Sequence, residues 1–468
     1  MAELAVRMRQ LGSLILLLCL SACASQRIDE KRVIPEHGVI GVESSHLEPT
    51  FWIQRQRLSE RPILGAEEIA AQNARLFQAD ASMNDLERMP NTLARSQVRE
   101  WIEGISVRPE NTLYDESSQE VTQSALDELV NAMNLAGIVD QQSIRFGMIV
   151  RRADLRTFPT RLRVFRSPND TDIDRFQESG AFPGTPVLIA HTSLNGEWLF
   201  VVTPRYEAWI ERRFVAEGER AAIFEYTRKT PYLVVTGSTV RTVFTQEVPQ
   251  LSELQLDMGV RVPLLNEWPA DQPVNGQHPY ASHVVELPVR GEEGRLHFAP
   301  ALVPRTADVA ASYLPYSDAN LVRQSFKFLG ERYGWGHSYN ARDCSGFVSE
   351  VYRSFGIQMP RNTRDQGTSP AFERIALSAS DTREKRSEIL KSLKVGDLIY
   401  IPGHVMMVIG YDQGMPYVIH DTTGIAYRKD NETVRVQLNG VSVTPLMPLL
   451  LSEERALIDQ IYSIQRIR

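Results

Sequence analysis

Cysteine is scarce in this chain: three among 468 residues, at Cys19, Cys23 and Cys344. Long apolar runs are scarcer still. The one candidate, Leu11 to Leu20, is too short to cross a bilayer stably. Basic blocks and arginine runs interleaved with aromatics are missing, and the net charge is −7, which argues against a nucleic-acid partner. No solenoid repeat recurs. No His/Cys/Asp/Glu group has the close spacing of a metal site, so neither metal nor cofactor is expected. What remains is an ordinary globular composition, 43% hydrophobic and 23% charged, with length for about three domains.

The first segment reads as an export signal: Arg7 and Arg9, the short apolar run, then small residues. Leu20-Ser21-Ala22-Cys23 resembles the lipobox of bacterial lipoproteins, in which cleavage falls before the cysteine and its sulfur carries lipid. That resemblance implies loss of Cys19, a lipidated Cys23 as membrane anchor, and no second thiol left to pair with Cys344. Ala24 is not the aspartate that commonly signals inner-membrane retention. Attachment to the outer membrane, facing the periplasm of a two-membrane cell, is therefore the expectation.

Beyond residue 23 the texture changes three times. Residues 24–50 are polar and aperiodic and suit a tether. Residues 51–143 repeat apolar positions at helical spacing, as in Leu93, Val98, Trp101, Ile102 and Leu126, Leu129, Val130, Met133, and are expected to form a helical domain. Residues 144–305 break into short β-rich runs, expected as two small SH3-like barrels over 144–217 and 218–305. In the first, Thr185–Ser193 and Glu197–Val202 flank Asn195-Gly196, a tight primed-hairpin signal. Arg205-Tyr206-Glu207 is a candidate for the cleft, whereas Trp209 suits the barrel core. Residues 306–468 read as an α+β domain, with a polar surface excursion near 370–394. His191, His278, His283 and His297 receive no function.

Cys344 carries the chemistry. It begins a helix whose apolar face is Phe347, Val348, Val351, Tyr352 and Phe355, with Asp343 at the N-cap and Gly356 at the end. Backbone N–H groups and the helix dipole favour thiolate there, so a pKa below the free value is expected. Asp343 opposes that shift, and a histidine is needed as partner. His404 and His420 are the candidates. If their strands pair about Asp412, they lie opposite one another, about 5 Å apart at Cβ, and one imidazole orients the other as the carboxylate does in other triads. Blander readings remain open: a buried inert thiol, satisfied core histidines, a one-cysteine, two-histidine zinc site, Asp343 as a cap alone, Tyr333 and Trp335 as core aromatics.

Tyr333-Gly-Trp335-Gly, Asp343-Cys344-Ser345-Gly346-Phe347, Met359-Pro-Arg361-Asn-Thr363-Arg-Asp-Gln366, Gly396-Asp397-Leu, Gly403-His404-Val and His420 stand in order over about 140 residues. Together they resemble the NlpC-type family of papain-like cell-wall cysteine peptidases, in particular its exported, SH3-module-bearing γ-D-glutamyl-L-diamino acid endopeptidases. The resemblance implies a papain-like α+β peptidase domain behind the two barrels, and Cys344, His404 and His420 as catalytic set. Its implied substrate is the γ-D-glutamyl–diamino acid bond of murein peptides. Asp343, Ser345, Tyr333 and Trp335 would line a pocket for a free L-alanine N-terminus, closed by the first SH3-like module. Arg361 would either bind a substrate carboxylate or pin a loop. The Cys344 N–H and Tyr333 hydroxyl would hold the oxyanion. A monomer is expected, with murein peptide and membrane as partners. The family usually reads Trp-Gly-Gly where this chain has Trp335-Gly336-His337, which puts an extra imidazole at the cleft rim. Two alternatives share the pattern: a non-enzymatic murein-binding lipoprotein, and an amidase or acyltransferase of the same fold.

Overall fold

The structure, a computed structural model, describes residues 38–468. The signal segment, Cys19, Cys23 and the first part of the expected tether lie outside the described residues.

The C-terminal domain is built on an eight-stranded antiparallel sheet. Its order is Glu373–Ala376, Ser463–Arg466, Leu398–Ile401, His404–Asp412, Met415–Lys429, Leu449–Ser452, Arg455–Ala456, with Glu432–Pro445 also paired to Met415–Lys429. Strand alternation divides its side chains between two cores. On one face Val405, Met407, Ile409 and Ile419 pack against Phe347, Val348, Val351 and Tyr352 of the helix Cys344–Arg353. On the other, Met406, Val408 and Val418 meet Leu390, Leu393 and Leu446. Residues 370–394 are therefore not a mere excursion. They supply the edge strand Glu373–Ala376 and the helix Arg383–Lys391, which buries Leu390. The helix Cys344–Arg353 closes as expected: Gly356 takes φ +83°, and the Ile357 N–H reaches the Tyr352 carbonyl at 3.2 Å.

The helical residues 51–143 do not form a domain of their own. Each helix has a single apolar stripe, and it buries that stripe on whichever larger body lies nearest. Trp52, on the helix Pro49–Gln56, and Ile69 and Leu76, on Ala66–Ala79, join the core of the Cys344 helix. Val98 and Ile102, on Arg95–Ile105, and Leu126, on Gln123–Ala132, join the core of the first β module beside Phe200 and Trp209. The tether is likewise shorter than 24–50. Val42 and His46 are buried, Tyr427 and Tyr417 donate to the carbonyls of Gly38 and Gly41, and His46 meets Asp412 at 3.4 Å.

The first β module is a seven-stranded antiparallel sheet running Gln177–Ala181, Ala153–Arg156, Tyr206–Glu211, Trp198–Thr203, Pro186–Thr192, Arg145–Ile149, Val215–Glu217. Trp209 is in its core. The Asn195-Gly196 hairpin forms, but only Gly196 takes a positive φ (+73°), so the connection is a longer loop and not a two-residue primed turn. The second module gathers three small antiparallel sheets around Leu233, Val240, Leu256, Val262, Val285 and Val303. Its strand Tyr232–Val235 pairs with Val309–Ala310, so the module runs past residue 305.

Candidate active site

Asp343 caps the helix of Cys344: its carboxylate accepts the Gly346 N–H at 2.8 Å. This leaves the Cys344 sulfur beside the start of the strand His404–Asp412, where it donates to the Gly403 carbonyl at 4.0 Å and lies by the Val405 N–H. The backbone on both sides of His404 thus touches the sulfur, although sixty residues separate them in sequence.

His404 and His420 meet through Nε2 and Nδ1 at 2.8 Å, and His420 Nε2 lies 3.0 Å from Thr444 Oγ1. They are not directly opposed. The hairpin turns between Asp412 and Met415 rather than about Asp412, and a bulge between Val408 and Gly410 shifts the register by one, so that Met407 faces Ile419, Met406 lies across from His420 and His404 is on the diagonal. Diagonal neighbours remain within reach of ring side chains. Thr444 arrives from the next strand, where it pairs with Val418. Nothing near it in the sequence marks it.

Burial dominates the titration of this group. It pushes the Cys344 thiol up to about 12, helped by the Asp343 carboxylate and opposed by the Val405 N–H. The lowered value expected from the helix terminus is therefore reversed, because desolvation of the anion outweighs the dipole. Burial also pushes His404 down to about 4, and carries His420 well below its ordinary value. Both shifts favour thiol and neutral imidazole over the ion pair.

The other expected contacts divide. Tyr333 lines a groove of about 570 Å³ together with Gly403, His404 and His420, and its hydroxyl has no hydrogen-bond partner among the described residues. Burial raises its pKa, keeping it a donor. Trp335 keeps 36% of its surface exposed while its indole N–H donates to the Gln177 carbonyl of the first β module at 2.9 Å. Arg361 is not free for a substrate carboxylate. All five of its N–H donors are engaged: Asp343 accepts two (2.7 and 3.2 Å), and Ser345, Ser179 and His337 accept one each. It pins Asp343 and Ser345 in place. Asp343 in turn accepts from Gly336, Gly346, Ser345 and Arg361; burial is the largest single influence and raises its pKa, but the Arg361 cation and the hydrogen bonds from Arg361 and Gly346 together bring it down to about 2.

His337 is not at the rim. It is fully buried, between Glu350 (3.1 Å) and Arg361 (3.1 Å), and burial with the Arg361 cation holds it neutral, at about 3. Its φ of +67° belongs to the left-handed region that glycine adopts freely, and Gly336 before it is at +57°.

Two further groups escaped the sequence reading. Glu178 accepts from Thr157 (2.6 Å) and Tyr206 (2.6 Å) where the first β module meets Gly336. Tyr206, the sequence candidate for the cleft, lies at this seam through its 2.6 Å hydrogen bond to Glu178 and does not line the groove of Tyr333, His404 and His420. Asp421 follows His420 on the strand and shares the face of Ile419. Both of its carboxylate oxygens are buried without a hydrogen-bond partner, and burial beside Asp343 and Glu331 raises its pKa to about 9. Among the described residues no cluster of metal-ligating side chains occurs.

Residues 330–437 match the NlpC/P60 family, and residues 163–211 match an SH3 domain of SH3b1 type. The chain carries an NlpC/P60 domain. Its sequence is 27% identical over 204 residues to a γ-D-glutamyl-L-lysine dipeptidyl-peptidase of Bacillus cereus (strain ATCC 10987 / NRS 248), covering 40% of this chain and 54% of the other. It thus spans about half the length of that relative. It is 25% identical over 229 residues to dipeptidyl-peptidase 6 of Lysinibacillus sphaericus, covering 48% and 74%. An NlpC/P60 endopeptidase from Photobacterium damselae subsp. piscicida superposes with a TM-score of 0.70 over 89% of this chain and 96% of its own, at 17% identity. The SH3b module followed by a papain-like C-terminal domain is therefore the fold. The second β module lies outside both family matches.

Proposed function

We propose that this protein is a cysteine endopeptidase that cleaves the γ-D-glutamyl–diamino acid bond of murein peptides with a free N-terminal L-alanine. The observation that carries the reading is the chain Thr444–His420–His404, together with a helix-initial cysteine whose sulfur touches the backbone on either side of His404, at the Gly403 carbonyl and the Val405 N–H. For His404 Nδ1 to take the thiol proton, Nε2 must carry hydrogen and donate to His420 Nδ1. His420 Nε2–H then donates to Thr444 Oγ1. One tautomer set satisfies every position, and His420 stabilises the imidazolium that forms on His404. The sulfur, its proton passed to His404, attacks the scissile carbonyl. The Cys344 N–H and the free Tyr333 hydroxyl receive the oxyanion, each such donor being worth about 3 kcal/mol. His404 returns the proton to the leaving amine and then activates water to release the acyl enzyme.

The preference for a free amine follows from charge. Arg361 neutralises Asp343, so the uncompensated carboxylate at the module seam is Glu178, which still has acceptor capacity for an ammonium. The names of the Bacillus and Lysinibacillus relatives support the bond and the dipeptide product.

Purified protein incubated with L-Ala-γ-D-Glu-diaminopimelate should release L-Ala-D-Glu, detected by mass spectrometry. Iodoacetamide or Cys344→Ala should abolish release, and a substrate still bearing muramic acid should resist. Equal release with and without the alkylating agent would refute the reading. Lipidation of Cys23 and outer-membrane attachment are part of the proposal. Fractionation should find the protein in the outer membrane, and Cys23→Ala should make it soluble; recovery in the inner membrane would reject the location.

A further inference from the structure

A second cavity, of about 250 Å³, opens where both β modules meet the NlpC/P60 domain. It shares no lining residue with the catalytic groove. Three guanidinium groups face it, Arg205 from the first module, Arg261 from the second and Arg353 from the catalytic helix, and no carboxylate lines it. Two of the three are held by neutral acceptors alone. Arg353 donates through Nε and Nη2 to the Met258 carbonyl (3.2 and 2.6 Å) and stacks on Phe182 at 4.6 Å. Arg261 donates to the carbonyls of Thr227 and Lys229 and stacks on Tyr232 at 4.0 Å. Arg205 has no side-chain hydrogen bond or ion pair among the described residues. Nearby acids are already paired: Glu350 with Arg342 and His337, Asp343 with Arg361.

Three cations of fixed orientation around an unneutralised cavity form a receptor for oxyanions, since the planar fork matches carboxylate and phosphate. We propose that this junction binds a small multiply charged oxyanion, a phosphate or a polycarboxylate, with Arg205 as its principal contact. Burial and the neighbouring cations of Arg353 and Arg361 push the Arg205 pKa down to about 9, a cost that a bound anion would relieve. The proposal is independent of the peptidase reading.

The test is calorimetric titration and thermal melting of the full chain with inorganic phosphate and, separately, citrate, against chloride at matched ionic strength. A saturable heat and a melting shift are expected with at least one probe, and comparison of the two tells which chemistry is preferred. Arg205→Met should weaken binding by about tenfold or more, and should fold readily because it removes an unpaired cation. Gln358→Glu, which puts a carboxylate on the cavity wall, should abolish binding while leaving all three arginines. No saturable binding of either probe, or unchanged affinity in both variants, would overturn the proposal.

Discussion

Asp421 adds its charge to the site only when it ionises. Its carboxyl is buried without a partner, and the elements around it present Asp343, Glu331, Arg342, Tyr333 and the Cys344 sulfur. With a pKa raised to about 9 it is neutral at pH 7. His404, lowered to about 4, is the competent base above that value. The expected kcat/KM therefore rises as pH passes about 4 and falls as Asp421 ionises near 9, because a new anion opposes the thiolate. Asp421→Asn should remove the alkaline fall, as a pH–rate profile would show. The linkage has the same sign. A raised folded-state pKa means stability present at low pH is lost as pH climbs toward 9. Denaturant titrations should show the advantage of Asp421→Asn growing by at most about 1.4 kcal/mol per pH unit between 4 and 9. The residues of the site divide by how far a sequence can show them. Cys344, His404 and His420 stand in local patterns. Asp421 and Thr444 act through strand pairings and burial, which no local spacing encodes.

At the scale of elements, the strand Gln177–Ala181 and the loop Trp335–Asn340 form the seam at which the proposed amine pocket lies. Gln177 bonds both Trp335 and the Gly336 carbonyl, and Ser179 holds Arg361. Glu178→Gln, which removes the charge and leaves one acceptor oxygen for the two hydroxyls of Thr157 and Tyr206, should raise KM for a free-amine substrate by about tenfold with a smaller change in kcat. Steady-state kinetics on N-terminally free and acetylated substrates would separate lost charge from lost packing. The helix of Cys344, the strands of both histidines and the Asn195-Gly196 hairpin were legible from periodicity and turn residues. Two features were not. The histidine pair is offset by two positions because the hairpin turns between Asp412 and Met415 rather than about Asp412, and the bulge after Val408 then shifts the register by one; neither the exact turn nor the extra residue is marked in the apolar pattern. His337 looked like a rim substitution because its burial depends on Glu350 and Arg361, thirteen and twenty-four positions away.

For the whole molecule, the N-terminal helices are structural parts of distant domains. Trp52 is fully buried, its indole N–H donates to the His46 carbonyl at 2.8 Å, and its ring packs 5.1 Å from that of Tyr417 on the catalytic sheet. Trp52→Ala should cost about 3–5 kcal/mol, and loss of the catalytic domain's transition in chemical denaturation would register it. Helical periodicity announced these helices. Their allocation to separate bodies is a long-range packing outcome that their own stripes do not specify.

Arg342 is wholly enclosed, and its guanidinium is divided among Glu331 and Glu350 of the catalytic domain and Asp257 of the second β module. Exchanging that module for an unrelated one would leave the Arg342 Nη2 donors buried without the Asp257 carboxylate and the Ser238 carbonyl that hold them, a penalty of about 1–3 kcal/mol or more. Recombination at this boundary is thereby penalised, and the modules should be inherited together as one block across a lineage.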